Sequence, residues 1–600
     1  MAYNEVLYGS STHAAIHLKS ASQSTAMPSI APDTDPPVAT QLSASPKRRR
    51  GKRLLMCVAV LVALAVVSTT LNSRPRIEER EVAELTVLRS APDFQQTLAT
   101  VNQQLAEMAA AAGVETAERA DNLTIARRLS LALVGNGMSL EELRAFESKP
   151  TQEQLTWWTD YLLTDSRWAD YFAERFSRAL VGTDNGPFVL FRRRKLNAWL
   201  SEQLASGVGY DKIVYEMLSA EGLWTDTPPV NFVTATMDEA NEGRGDPIRL
   251  AGRTSRALLA QRIDCVQCHD DFIGSLNFGS LDHPVAGSQE HFHSLAAFYA
   301  GTALADPVFR GITDDGQPYR IKYLGDSEQS LVEPAVPFSP ELLPTEGKPR
   351  VRLAAWVTDP GNRAFGRATV NRVWGLMFSR PLVDPVDSIP IDMPVPKVLD
   401  ALADDWSKHG FQIARLVRMI AVCDAFQRDS RADFEVTEQH EQAWSVFPLT
   451  QLRPDQVVGN LLQASKLNAM DSSSSVFRRL EAYGSKQDFL QLFGDRGEDE
   501  FESDAVTITQ RLIMMNGELA ANRTGVDLIN NAATRIATLV ADDQDAIELI
   551  FLTTFNRHPT ASETAAFGKE LSGKSGDERK RALSDIAWAM VNSTEFSWNH

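Results

Sequence analysis

One stretch divides this chain before any fold is considered. Leu54 to Leu71 is an uncharged run of 18 residues, and Lys47-Arg48-Arg49-Arg50-Gly51-Lys52-Arg53 stands directly before it. That length lies at the short end of what spans a bilayer. A basic collar holds its own flank in the cytoplasm. A cleaved signal peptide is the competing reading, but the segment ahead of the run is far too long for a leader, and no small-x-small site follows. The run therefore predicts a transmembrane signal anchor at 54–71. It crosses the cytoplasmic membrane once, with the N-terminus inside and residues 72–600 in the periplasm. Residues 1–53, rich in Ser, Thr, Ala and Pro and ending in the basic block, are expected to be a disordered cytoplasmic tail.

Six hundred residues exceed what one core normally organises, so two or three domains are expected. The periodicity is helical almost throughout. Glu78, Glu79, Glu81 and Glu84 crowd the start of a helix over 76–113, where the dipole favours acids. Ile125, Leu129 and Leu133 make one stripe, and Ser139-Leu140-Glu141-Glu142 opens a further helix as a capping box. Trp157, Trp158, Tyr161, Trp168, Tyr171, Phe172 and Phe176 recur at helical spacing and read as core packing. Arg192-Arg193-Arg194-Lys195 reads as a solvated face or a set of internal ion pairs. Residues 76–300 are taken as one helical domain. Residues 301–350 hold short strands around Asp314-Asp315-Gly316 and then Pro334, Pro337, Pro340, Pro344 and Pro349, so they form a small β-containing, Pro-rich connection. Residues 351–600 make a C-terminal helical domain, with helices at 362–377, 398–406, 413–427, 454–466, 508–522, 543–555, 560–571 and 580–593. The fold class is mainly α.

Chemistry concentrates in one window. Cys265-Val266-Gln267-Cys268-His269 is followed by Asp270-Asp271, then His283-Pro284, then His291-Phe292-His293. Of four Cys and ten His in the chain, two and four respectively fall here. A C-x-x-C-H string is the attachment signature of c-type haem. Two thiols three residues apart reach both vinyl groups of one porphyrin, and the adjacent imidazole lies under the iron. The sixth ligand is then His283, His291 or His293, or a Met such as Met237 or Met377. Bis-His ligation favours a low potential and Met raises it. A zinc set of Cys265 and Cys268 from one turn with two His from the helix 23 to 25 residues on, His291 and His293, is a second reading, and His269 and His283 complete the candidate metal ligands of the window. A Cys265–Cys268 disulfide pinning a turn is a third, because exported C-x-x-C pairs oxidise readily. Cys57 lies in the apolar run, and Cys423 reads as a small buried hydrophobe.

Other chemistry is thin. There is no G-x-S-x-G elbow, no H-E-x-x-H and no Walker sequence. Asp384, Asp387 and Asp392 form a carboxylate group that reads first as turn caps around Pro385 and Pro390. Asn371, Arg372 and Trp374 on one helix are a second cluster, read first as packing. A formal net charge of −18 argues against nucleic-acid binding.

Several segments together resemble a known pair of domains. They are Asp264 to Asp270, Gln289-Glu290-His291-Phe292-His293-Ser294-Leu295-Ala296-Ala297-Phe298-Tyr299, Arg352 to Pro360, Phe365 to Trp374, Leu382-Val383-Asp384-Pro385-Val386-Asp387, and Val591 to His600. These resemble the paired domains of unknown function carried by large exported planctomycete proteins, which often also carry a cytochrome c-type module. The resemblance covers roughly 120–600 and implies an association with cytochromes. Members of this type place His-Pro soon after C-x-x-C-H. Here Asp270-Asp271-Phe272 follows, and His283-Pro284 comes later, as if a short loop were inserted. The usual Gly-Arg-Gly turn before Leu-Val is Ser379-Arg380-Pro381, and no second C-x-x-C-H is present. The expectation is a membrane-anchored exported protein carrying haem c, working in electron transfer or redox support with redox or other exported partners. The alternative is a non-enzymatic scaffold or carbohydrate-handling module with a structural Cys pair or a zinc clip.

Overall fold

The computed structural model describes residues 90–183, 191–237, 243–272, 274, 276–279, 282–306, 311–391, 394–469, 476–494, 501 and 507–600. The tail, the basic block and the 54–71 segment lie outside the described residues. Among the described residues no helix is long and apolar enough to cross a membrane.

The protein is mainly helical. The first part runs α1 Pro92–Ala112, α2 Asn122–Val134, α3 Leu140–Glu147, α4 Gln154–Thr164, α5 Ser166–Val181, α6 Arg193–Ala205, α7 Tyr210–Ser219, α8 Pro247–Leu259 and α9 Gln289–Ala297. Local chemistry sets these boundaries. Asp121 caps α2 through the Thr124 N–H, and Ser139 and Glu142 close the capping box of α3. Asp165 caps α5, whose Trp168, Phe172 and Phe176 stack edge to face at 5.7 and 5.9 Å between centroids. Burying a side chain of this size contributes roughly 1.5–3 kcal/mol, which outweighs the modest helix propensity of aromatic residues. The aromatic band is therefore core.

Small antiparallel pairs follow: β1 Thr302–Asp306 with β2 Gly311–Asp314, and β3 Tyr319–Ile321 with β4 Ser330–Val332. Helices then resume as α10 Pro349–Val357, α11 Arg363–Phe378, α12 Lys397–Lys408, α13 Ile413–Val422, α14 Pro454–Ala464, α15 Val476–Phe493, α16 Ile508–Asn516, α17 Glu518–Thr524, α18 Ala532–Leu539, α19 Asp543–Phe555, α20 Ala561–Leu571 and α21 Gly576–Val591.

Two expected helices are broken. The run 413–427 stops at Cys423, whose backbone is extended, and resumes as the turn Asp424–Gln427. Asn102 on α1 causes the break: its side chain accepts the Asp424 N–H and donates to the Asp424 carboxylate, each at 3.0 Å. A distant side chain thus supplies the cap that a continuing helix would have made unnecessary. The run 508–522 divides at Gly517, where an added Cβ would lie 2.3 Å from the Ile513 carbonyl oxygen. Helices α15 and α18 lie where none was expected.

The described residues, all within 74–600, form one compact unit. One core runs from Phe94, Leu129, Trp158 and Phe172 through to Trp374, Phe378, Trp406 and Phe447, so packing does not divide at 301–350. Tyr210 stacks on Phe365 with planes 2° apart, and Arg350, 1% exposed, donates to the carbonyls of Leu218 and Ala220. A second core gathers Val458, Leu461, Ile547, Phe551, Leu583 and Phe596 around Leu131 of α2.

Candidate functional site

The C-x-x-C-H turn is reached from α8. Asp246 caps this helix by accepting the N–H groups of Ile248 and Arg249, and Pro247 occupies its first turn. The helix ends at Ala260, which takes a left-handed conformation with φ 50°. A non-glycine residue in that region costs about 1 kcal/mol or more and persists only where its surroundings hold it. The hold comes from beyond α11. The Ile389 N–H donates to the Ala260 carbonyl at 2.8 Å, and Gln261 Nε2 donates to the Ile389 carbonyl at 2.5 Å. Arg262 Nε donates to Asp387 Oδ1 at 2.6 Å.

The chain then makes a 3-10 turn over Asp264–Gln267, opened by the Val266 N–H on the Ile263 carbonyl at 3.1 Å. Ile263 and Val266 are buried and act as its anchors. Cys265, Cys268 and His269 face solvent, and both cysteines carry free thiols. His269 Nδ1 lies 2.8 Å from the Asp270 carbonyl oxygen. A carbonyl only accepts, so Nδ1 carries the hydrogen, and in the neutral ring the lone pair is on Nε2. That is the tautomer of a metal-ligating imidazole. Phe272, 83% exposed, lies beside the His269 ring at 6.1 Å between centroids.

Two other histidines of the window, His291 and His293, are spent on structure. His293 is 1% exposed, with Nε2 3.0 Å from the Gln267 carbonyl and Nδ1 2.9 Å from the Tyr319 hydroxyl. Nε2 must donate to the carbonyl, which leaves Nδ1 to accept from the tyrosine. His291 stands at the third position of α9, and its Nδ1 accepts the Ser288 N–H at 3.2 Å. Its hydrogen is therefore on Nε2, which offers no lone pair. Burial lowers the pKa of both rings, which favours their neutral form. His291 and His293, both expected among the metal ligands, instead hold the turn and cap the helix. His283 is exposed on the loop that follows. Met237 and Met377 are fully buried in the core. Among the described residues no group of three or more His, Cys, Asp and Glu side chains is placed to hold a metal ion, so the zinc set is not assembled there.

Asp270 and Asp271, which follow His269, are engaged on both sides of the loop. Asp270 Oδ1 accepts the Gln289 N–H at 2.8 Å, at the first residue of α9. Asp271 accepts the N–H groups of Gly274 and Leu276, and its own N–H donates to the Gly287 carbonyl. The two acids thus tie the loop between the turn and α9 at both of its ends. Gln289 adds a third tie, from Nε2 to the Gln267 carbonyl at 3.2 Å.

The two clusters read first as turn caps and as packing both connect to this turn through Asp387 and Asn371. Asn371 on α11 donates through Nδ2 to the Val383 carbonyl at 2.7 Å and accepts the Val383 N–H at 2.9 Å. This amide pairs like a strand and fixes the segment that carries Asp387. Asp392 lies outside the described residues. Arg193, in the basic run, pairs with Glu174 at 3.3 Å, as an internal ion pair.

Fold and site together define a mainly helical chain in which an exposed C-x-x-C-H turn is braced by a distant Asp-bearing segment. Residues 100–300 match the family model PSCyt2, a protein of unknown function (DUF1549), and residues 349–571 match PSD1, a protein of unknown function (DUF1553). The chain carries this pair of domains. No curated protein and no solved structure matches it.

Proposed function

We propose that Cys265 and Cys268 attach a c-type haem, with His269 as axial ligand, in an exported protein held to the cytoplasmic membrane by residues 54–71. One observation carries this reading. Two free, exposed thiols at i and i+3 stand beside an imidazole whose Nδ1 hydrogen is given to the Asp270 carbonyl, which leaves Nε2 for iron. This donor set suits the group: thiols for two thioether bonds, and an imidazole whose Nδ1 hydrogen is engaged and whose Nε2 faces outward for iron. A bound haem supplies one-electron exchange. The chain's own residues do the positioning. His293 and Gln289 hold the Gln267 carbonyl, and Asp270 couples the turn to the start of α9. The exposure of the thiols and of Phe272 supports a group near the surface, within reach of a redox partner. The proposed export is consistent with the proposed chemistry, because covalent haem attachment belongs outside the cytoplasm.

The test is a haem stain on a denaturing gel, with the full chain made alongside a c-type maturation system. The reading expects a stained band that is lost in Cys268→Ala. A colourless wild-type band overturns it. Thiol titration and elemental analysis of the native purified protein then decide between a disulfide pair and a zinc clip.

A further inference from the structure

The Cys265–Cys268 turn lies in the part of the chain matched by the first family model, yet the residues that brace its approach lie in the part matched by the second. We infer that Asp387 is a positioning residue for the Cys265–Cys268 pair, so that the two matched domains build one site jointly. The inference rests on the reading that both thiols take a single group. Arg262 Nε donates to Asp387 Oδ1 at 2.6 Å across 125 residues of sequence. The Arg262 side chain is 45% exposed and that of Asp387 12%, so the pair sits at the rim, where its direction matters more than its net stabilisation. The Arg262 carbonyl lies 4.0 Å from the Cys265 sulfur, and Ile263, the next residue, accepts the hydrogen bond that opens the 3-10 turn. Asp387 is itself fixed. Asn371 grips Val383 at both backbone groups, and Ile389 bonds to Ala260 and Gln261. The line Asn371, Val383, Asp387, Arg262, Cys265 thus runs from the middle of α11 to the first thiol. Each link but the last is a hydrogen bond or a short stretch of chain.

A group that bonds to both thiols requires their separation and direction to be set in advance. Phenylarsine oxide reads this directly and without haem. Its arsenic condenses with two thiols, forming two As–S bonds and releasing one water. It is applied to the purified, haem-free full chain, with Cys268→Ala as the control that abolishes capture. Asp387→Asn is expected to weaken arsenical capture about tenfold, the order seen when a residue orienting a ligand is removed. Alkylation of the denatured chain, which counts thiols alone, stays unchanged. The reversed pair, Arg262→Asp with Asp387→Arg, restores capture, which a merely structural role would not. If Asp387→Asn fails to fold, Arg262→Gln tests the same contact from its more exposed end. Capture by Asp387→Asn equal to wild type, or a reversed pair that does not restore it, overturns the inference. A chain that never stains for haem, yet captures arsenical in an Asp387-dependent way, ends the haem reading and leaves the brace standing. A stained chain whose arsenical capture ignores Asp387 does the opposite.

Discussion

His293 donates its Nε2 hydrogen to the carbonyl oxygen of Gln267, 3.0 Å away and inside the C-x-x-C-H string itself. The same ring accepts from Tyr319 at 2.9 Å, so a histidine that looks like a ligand in the sequence is a strut in the structure. His293→Phe keeps most of the ring volume and removes both bonds, leaving the Gln267 carbonyl with Gln289 alone among its side-chain donors described here. The expected cost is about 1–3 kcal/mol, the penalty for unmade buried hydrogen bonds. It is read as a lower urea midpoint with an unchanged slope. A midpoint equal to wild type would show that the strut carries no load.

Acid weakens this region in a stated direction. Burial holds the pKa of His291 and His293 below the ordinary 6.5, and that of His600 falls to about 3 for the same reason, aided by Arg127. In this window the unfolded chain binds more protons than the folded one, so stability rises with pH. The contribution is complete above 6.5 and is lost as pH falls from 6.5 toward the folded values. Urea midpoints between pH 7.5 and 5.5 are expected to drop for wild type and to drop less for His293→Phe. A flat profile across that window contradicts the assignment of neutral, buried rings.

The two matched regions are also joined by charge. Arg418 Nε and Asp160 Oδ1 lie 2.9 Å apart with side chains 9% and 4% exposed. Asp160→Ala leaves the guanidinium buried without this partner, at an expected cost of about 3–5 kcal/mol. The double change Asp160→Leu with Arg418→Met is expected to cost less than the single one. Thermal unfolding of the three proteins checks this, and equal losses in single and double variants would contradict it.

Much of the helical plan was legible in residue spacing. The capping box at Ser139 and Glu142, the helices near 363–378 and 543–555, and the role of the Trp168, Phe172 and Phe176 stripe follow from local pattern alone. What was not legible depended on partners distant in sequence. The break at Cys423 needs Asn102, which lies 322 residues from Asp424. The brace at Asp387 needs Arg262, and no local pattern marks a carboxylate as the mate of one particular arginine. The four histidines showed the reverse difficulty. Residue type marked the window, but tautomer and neighbours assign the work, and only the Ser-x-x-His spacing at Ser288 and His291 hinted at a cap. The order Asp270-Asp271 read in the sequence as a departure from the expected pattern, and in the structure it supplies two ties of the loop that follows.

The measurement that bears most directly on the account is the intact mass of the full chain, purified after expression with a c-type maturation system and denatured before analysis. The account predicts a gain of one haem per chain that survives denaturation, and its loss in both Cys265→Ala and Cys268→Ala. A chain at its unmodified mass, with both thiols still open to alkylation, would contradict it.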